Sequence, residues 1–473
     1  MDNRPLMIPI HILDDDSLLN IFNFCHPVMV DEDEANCHRI LQGGEWDRER
    51  WWYKLVKVCR RWRCLILAST SHLGLNLLCT FGTPVAEMLA HSPRLPLILD
   101  YLGNGPATNI TAEDEERIIL ALQLRDRVRG VRLQMTLASL QKVIAAVDGE
   151  FQMLEYLYMV PQGKYFRRLI LPDTFRAPHL RRLILDTSAL SMVSPLLTAT
   201  MRLVTLSLQD ITYFGPNDLL QQLSLLPQLE ILRITFHSPV PDVETLLSHM
   251  QIITHITLPN LHWFGFQGAN AYLEALLPQM TTPLLERLET YFWSQLIYSV
   301  PHLLQFMGAA ENLRLGSAKF VFHGDRVAVD VFSHRGATMY SFRLRVSFRE
   351  LDQQVAAAAQ IFGALRREFS AVEYLFLEIQ ARSTWWGTSH EADRRNWRAL
   401  LEPFSNVKTL CVSNDFLTQF SRALQVSDGG SPMELLPEMK QLEYSAKGVA
   451  GDTFDSFINA RKNAGHPITL VRL

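Results

Sequence analysis

The stretch WWYKLVKVCRRWRCLI, Trp51 to Ile66, gathers two cysteines, three arginines and three tryptophans in sixteen positions. Thiols beside cations are the setting in which cysteine becomes a nucleophile or a metal ligand. On a helical wheel, Leu55, Val58, Cys59, Trp62, Leu65 and Ile66 fall on one apolar stripe. Lys54, Lys57, Arg60, Arg61 and Arg63 fall around the rest as a solvated face. Cys59 and Cys64 then stand about 140° apart. One helix cannot aim both thiols at one ion or join them. Cys59 is therefore expected to pack as a small buried hydrophobe.

A second candidate is the pair of Cys-His steps, Cys25-His26 and Cys37-His38, with Asp31, Glu32, Asp33 and Glu34 between them. Zinc accepts such ligands, but adjacent residues lack the two-to-four-residue separation of ligand pairs, and Cys25 falls on a core stripe. No metal site is expected. The chain has no G-x-S-x-G, P-loop, H-E-x-x-H or G-x-G-x-x-G, and its fifteen histidines are scattered. Neither an enzyme nor a cofactor is expected.

Composition narrows the class further. Of 473 residues, 48% are apolar and 20% charged, the balance of a folded globular chain. A net charge of −4 gives no strong overall pull on nucleic acid or anionic lipid. The opening MDNRPLMIPIHILDDD does not read as a signal peptide, and no apolar run has the length of a membrane span. Six cysteines are too sparse for a disulfide framework. The expectation is a cytoplasmic or nuclear protein with reduced thiols.

The elements that carry these residues begin with LDDDSLLNIFNFC, Leu13 to Cys25. Asp14, Asp15 and Asp16 can cap free backbone N–H groups and complement a helix dipole. Leu18, Ile21, Phe22 and Cys25 form the main stripe, while Leu19 and Phe24 fall outside it. Apolar residues on both sides of a short helix suggest either a second contact surface or burial on both sides within the chain.

LDDDSLLNIF (Leu13 to Phe22), LVKVCRRWRCLI (Leu55 to Ile66) and HLGLNLLCT (His72 to Thr80) together resemble the F-box motif, in the divergent set found in mushroom-forming fungi. Asp14 stands where that motif has proline, and an insertion over 28–52 separates the first two helices. The resemblance covers roughly residues 1–100, a small helical module. It implies docking on a Skp-family linker protein, with Leu13, Leu18, Leu19, Ile21, Phe22, Val58 and Trp62 supporting the contact.

From about residue 125 a second pattern recurs: apolar, two variable, apolar, one variable, apolar. Its copies are VRGVRL (Val128), LEYLYM (Leu154), LRRLIL (Leu180), LVTLSL (Leu203), LEILRI (Leu229), ITHITL (Ile253), LERLET (Leu285), VEYLFL (Val372) and VKTLCV (Val407). MKQLEY at Met439 and ITLVRL at Ile468 are degenerate further copies. The first seven starts are 26, 26, 23, 26, 24 and 32 residues apart, largely the leucine-rich-repeat period. Helical stretches lie between them, such as SLQKVIAAV and PNDLLQQLSLL. One strand and one helix cannot bury an apolar face alone, so the fold class expected for 101–473 is an α/β solenoid of stacked units. An ordinary parallel α/β sheet would show longer, more continuously apolar strands. The segment 308–369 breaks the rhythm. Its alternating residues, with turns at Gly324 and Gly336, predict a β-hairpin or meander inserted in, or replacing, one repeat, followed by a helix.

Strand side chains alternate, so residues between the repeat leucines should line the concave sheet face. That column includes Arg182, Arg233, His255, Arg287, Glu289, Tyr291, Tyr374 and Phe376, a mixture suited to a protein partner rather than to nucleic acid. Trp385 and Trp386, in a polar loop, either anchor a partner or cover the solenoid end. The function expected is a substrate-recruiting adaptor of an SCF-type ubiquitin ligase. The alternative is an interaction scaffold whose F-box-like helices only cap the repeats.

Overall fold

In a computed structural model of the chain, the residues described are 10–25, 50–92, 94–102, 110–162, 171–186, 196–197, 200–211, 215–237, 252–295, 297–380, 394–413, 417–424, 434–444 and 454–472. The remainder of the Cys-His segment after Cys25, and the Trp385-Trp386 loop, lie outside them. The chain divides into two units, Met1–Leu203 and Val204–Leu473.

The first unit opens with helix α1, Asp15–Phe24. As the three aspartates predict, Asp14 caps it, accepting from the Ser17 amide at 2.6 Å. That bond holds the Asp14 carboxyl below its ordinary pKa. The basic stretch does not form one continuous helix. It makes α2, Trp51–Leu55, and α3, Arg60–Ala68. Bonds of the i→i−3 kind from Lys57 and Val58 tighten and end α2. Cys59 is extended (φ −157°, ψ 170°), and its sulfur caps α3 by accepting from the Trp62 amide at 3.5 Å. Cys59 is thus exposed and not packed, because a cap interrupts the period on which the wheel relied. Nor is Arg61 merely solvated: it donates to the Leu13 carbonyl (2.7 Å) and pairs with Asp15 (2.6 Å). Phe22 meets the Trp62 ring edge-on at 4.8 Å.

A parallel sheet follows in the order β1 (Leu77–Cys79), β2 (Leu97–Tyr101), β3 (Val128–Met135), β4 (Tyr156–Pro161) and β5 (Arg182–Asp186). Two of its strands precede the first copy read from the sequence. Between strands lie α4 (Val85–His91), α5 (Ala112–Leu122) and α6 (Leu137–Ala146). Trp52 donates from its indole to the Asn76 carbonyl at 3.2 Å, just ahead of β1.

The second unit carries β6 (Thr205–Ile211), α7 (Pro216–Leu223), β7 (Ile231–Phe236), β8 (Ile256–Thr257) and β9 (Trp263–Gly268). Next come α8 (Asn270–Leu276), β10 (Met280–Thr281), β11 (Arg287–Phe292) and α9 (Pro301–Ala309). The irregular segment supplies β12 (Ser317–Phe322), β13 (Arg326–Phe332), β14 (Tyr340–Ser347), α10 (Leu351–Ala364) and α11 (Arg366–Phe369). The chain ends with β15 (Tyr374–Ile379), α12 (Arg394–Leu401), β16 (Thr409–Val412), α13 (Leu417–Leu424), β17 (Gln441–Tyr444), α14 (Asp455–Asn463) and β18 (Thr469–Arg472).

In the sheet of this unit the order is β6-β7-β9-β11-β14-β13-β12-β15-β16-β17-β18. Every pair is parallel except the two made by β13. The predicted meander is therefore spliced into the sheet in reverse order. Gly336, at φ +88°, turns its second bend. Phe320 packs against Phe362 of α10 and Phe404. α10 buries eight of its residues between the meander strands and α12, and burying one Phe or Ile stabilises by about 1.5–3 kcal/mol. Its Gln354 donates to the carbonyls of His323 and Phe348 at 2.7 and 2.8 Å, which ties the first bend to the helix.

One strand assignment fails. ITHITL forms only the two-residue β8, which pairs with β10 in a separate two-stranded sheet. Pro259 follows at once and cannot donate to a ladder. LHWFGF at Leu261 supplies the sheet strand β9 instead.

Asp114 shows how tightly the first unit fixes its ends. It completes a capping box with Thr111, accepts from the Gly82 amide at 3.3 Å and pairs with Arg117 at 3.2 Å. Burial works against its charge, but the bonds from Thr111, Gly82 and Arg117 outweigh it, and its pKa falls below the ordinary 3.8. A depressed carboxylate stabilises fully above its unfolded pKa and loses that contribution as pH falls through the folded value. Asp114→Asn should cost about 1 kcal/mol at pH 7 and flatten the acid limb of stability below pH ~4. Denaturant titrations from pH 7 to 2 check this. Parallel acid limbs in wild type and variant would refute it.

Candidate protein-binding site

The open face of each sheet, opposite the repeat leucines, is where the predicted contact residues should meet. In the first unit that face carries a buried apolar cluster. Ile184 is buried with Leu102 and Tyr158, and Tyr156 and Val160 pack on them. Arg182 is half-buried one residue pair from this cluster. In the second unit, Thr205, Ser207, Ile231 and Trp263 are also buried. His255 sits exposed before β8, off the main sheet. Within the second unit His255 therefore does not join the other predicted residues, and Arg182 belongs to the first unit.

The remaining six are brought to one face of the second unit. In-register pairing places Arg233 beside Gly265, Gly265 beside Glu289, Glu289 beside Arg343, Arg343 beside Asp330, Asp330 beside Lys319, and Lys319 beside Phe376. Signs alternate along this row, the favourable arrangement for directly opposed strand residues. A Cβ at Gly265 would lie 3.2 Å from Cγ of Arg233, so glycine leaves room for the arginine stem. Arg287 and Tyr291 flank Glu289 on β11, and Tyr291 shares a 2.7 Å bond with Ser347.

The side chains lock together across the meander. Arg343 binds Asp330 with two parallel hydrogen bonds, one of them 2.9 Å, and its guanidinium lies 3.7 Å from the centre of the Tyr340 ring. Burial disfavours the Arg343 charge, but Asp330 more than offsets this and raises its pKa. Glu289, buried, accepts from Arg345 at 3.0 Å and from the Tyr340 hydroxyl at 3.2 Å. Burial, then the Glu289 charge, pushes the Tyr340 hydroxyl up. Lys319 pairs with Glu378 at 2.8 Å and sits 4.9 Å over Phe376. Arg335, from the second bend, contacts both oxygens of buried Glu443 at 3.2 Å and lies 4.3 Å over Tyr374.

Among the described residues, two depressions open on this face. One, of about 330 Å³, is lined by Lys319, His323, Arg326, Asp330, Arg343, Arg345 and Glu378 among others. Burial, then Arg326, lowers the His323 pKa, so the ring is a weaker base than usual. The other, of about 220 Å³, lies between Lys319, Phe332, Arg335, Gly336, Ala337, Tyr374 and Phe376. Among the described residues, no group of three or more His, Cys, Asp or Glu is placed to hold a metal ion. The arrangement offers paired charges, donors and ring faces, the equipment of recognition.

Sequence reasoning found Arg233, Arg287, Glu289, Tyr291, Tyr374 and Phe376 but missed Lys319, Asp330, Arg335, Tyr340, Arg343, Arg345 and Glu443. The signal was present as Arg343 and Arg345 two residues apart, beside Val327, Val329 and Val331 alternating with Ala328 and Asp330.

The predicted docking residues divide by depth. Leu18 and Phe22 are fully buried, Leu13, Leu19 and Trp62 half-buried, and Ile21 and Val58 exposed. Only the last two offer their side chains freely to a partner. The sequence stripe did not single out Ile10 and Ile12, which are exposed too.

No family model matches the chain, and no curated protein matches it. Among solved structures, it is similar to the leucine-rich repeat-containing protein LegL7 from Legionella pneumophila. The identity is 13%, the match covers 84% of this chain and 99% of that one, and the TM-score is 0.28.

Proposed function

We propose that the chain is a substrate-recruiting adaptor of an SCF-type cullin–RING ubiquitin ligase, like the divergent F-box proteins it resembles. Its N-terminal helices dock on a Skp-family linker, and the open face of its repeats holds a protein target. No bond chemistry is assigned to the chain. Its contribution is effective concentration, bringing a target near a ubiquitin-charged enzyme, and its place of work is the cytoplasm or nucleus.

The observation that carries the docking half is exposed apolar surface. Of thirteen large apolar side chains left exposed among the described residues, five lie between Ile10 and Val58. Phe24 is 89% exposed and Ile21 37%, three residues apart on one side of α1. Such clustering marks a contact surface. The scaffold alternative draws on the Trp52–Asn76 bond, which ties α2 to the start of the sheet. The two readings use different sides of the module: Trp52 and Ile66 face inward, while Ile21 and Phe24 face out.

Ile21→Glu/Phe24→Glu in the full chain should weaken capture of a purified Skp linker by about tenfold or more with an unchanged circular dichroism melt. Equal capture by both forms, or none by wild type, leaves the scaffold. For the target-holding half, proximity labelling with the full chain and with Arg326→Glu should give different neighbours. Unchanged neighbours would argue against the open face.

A further inference from the structure

The meander is basic within an acidic chain. Residues 317–347 hold five Lys and Arg against two Asp, while the whole chain carries −4, and neighbouring strands set Glu378, Glu443 and Glu289 against Lys319, Arg335 and Arg345. Away from the register shift at Val331/Phe332 its strands alternate, so Val327, Val329, Val331, Phe342, Leu344 and Val346 go inward. Lys319, Arg326, Arg343 and Arg345 go to the open face.

The charge row ends at Lys319. Beyond it the next strand offers Tyr374 and Phe376 instead of another carboxylate in line, and Arg335 closes the far side. The 220 Å³ cavity lies at that change, lined by the rings of Phe332, Tyr374 and Phe376 and by Lys319 and Arg335, which lie over Phe376 and Tyr374. A dry apolar cavity of roughly 150 Å³ is enough for a benzene ring, so this one admits an aromatic side chain. Arg335 spends one nitrogen, Nη2, on Glu443, and its Nε and Nη1 have no hydrogen-bond partner among the described residues. Lys319 pairs its ammonium with Glu378 and lies over Phe376, which leaves further donor capacity.

We propose that this cavity seats one aromatic side chain of an acidic, extended segment of the bound protein, with flanking carboxylates meeting Lys319 and Arg335. The proposal rests on the protein-binding reading of the open face and names the chemistry of its partner. A nucleic acid strand would share the rings and cations, but Glu289, Asp330 and Glu378 interrupt the positive charge that a phosphate backbone must follow.

The test uses the full chain and four probes: a blocked pentapeptide with phenylalanine between two pairs of glutamates, the same peptide with alanine at the centre, the same with lysines for glutamates, and a single-stranded DNA twelve-mer. Fluorescence anisotropy should show the acidic phenylalanine peptide binding at least about fivefold more tightly than the alanine and lysine forms. Ala337→Phe, which fills the cavity and leaves both cations, should abolish that preference. Arg335→Ser should weaken binding and reduce its salt dependence. Equal binding of all three peptides, no binding, or DNA binding lost in Ala337→Phe would overturn the proposal. Arg326 does not line this cavity, so the labelling result with Arg326→Glu judges the open-face reading separately.

Discussion

A parallel repeat sheet has one direction for all its strands, and an insertion that stays within it must hand the chain back in that direction. Antiparallel neighbours reverse at every step, so only an odd number of inserted strands can do so. The second unit meets this with three. β14 runs parallel to β11, β13 runs back, and β12 runs parallel to β15. Sheet pairing therefore passes through the irregular segment without an exposed edge, which would otherwise invite pairing with another chain. The reversed order also requires the chain to recross the meander from β14 to β15, and α10, the longest helix described, covers that path.

The same constraint makes the candidate site. Pairing in register aligns alternate residues of neighbouring strands, so a two-residue period within each strand becomes a row across the sheet. Opposed like charges would destabilise that row. Lys319, Asp330, Arg343 and Glu289 instead alternate in sign. The row is largely satisfied within the protein, which fixes its side chains in place before any partner arrives. Rigid positioning of this kind lowers the ordering cost of binding. At its margin Lys319 and Arg335 each pair with one glutamate, Glu378 and Glu443, and each also lies over a ring, Phe376 and Tyr374.

Much of this was legible in the sequence, for identifiable reasons. Repeat leucines follow a period, and the strands at Leu154, Leu180, Leu203, Leu229, Leu285, Val372 and Val407 follow from it, while Gly324 and Gly336 mark the bends of the meander. ITHITL matched the pattern but not the ladder, since a proline ended it, while LHWFGF carried the strand with aromatic residues in place of leucine. Asp14 capped α1 as its position suggested. Cys59 did not pack, because a helical wheel assumes continuity and a cap breaks it. The strand order β14-β13-β12 was beyond reach, since hydropathy sets which face a side chain takes but not which strand lies beside it. Without that order neither the charge row nor the neighbourhood of Arg335, Tyr374 and Glu443 can be drawn.

Native-state hydrogen exchange on the full chain tests the central claim, that the meander is an integral part of the sheet. β13 is paired on both sides, so the amides of Val327 to Val331 should exchange as slowly as those of β11 and β15, in one cooperative unit. Exchange of β13 at the rate of exposed loops, with β11 and β15 still protected, would contradict it.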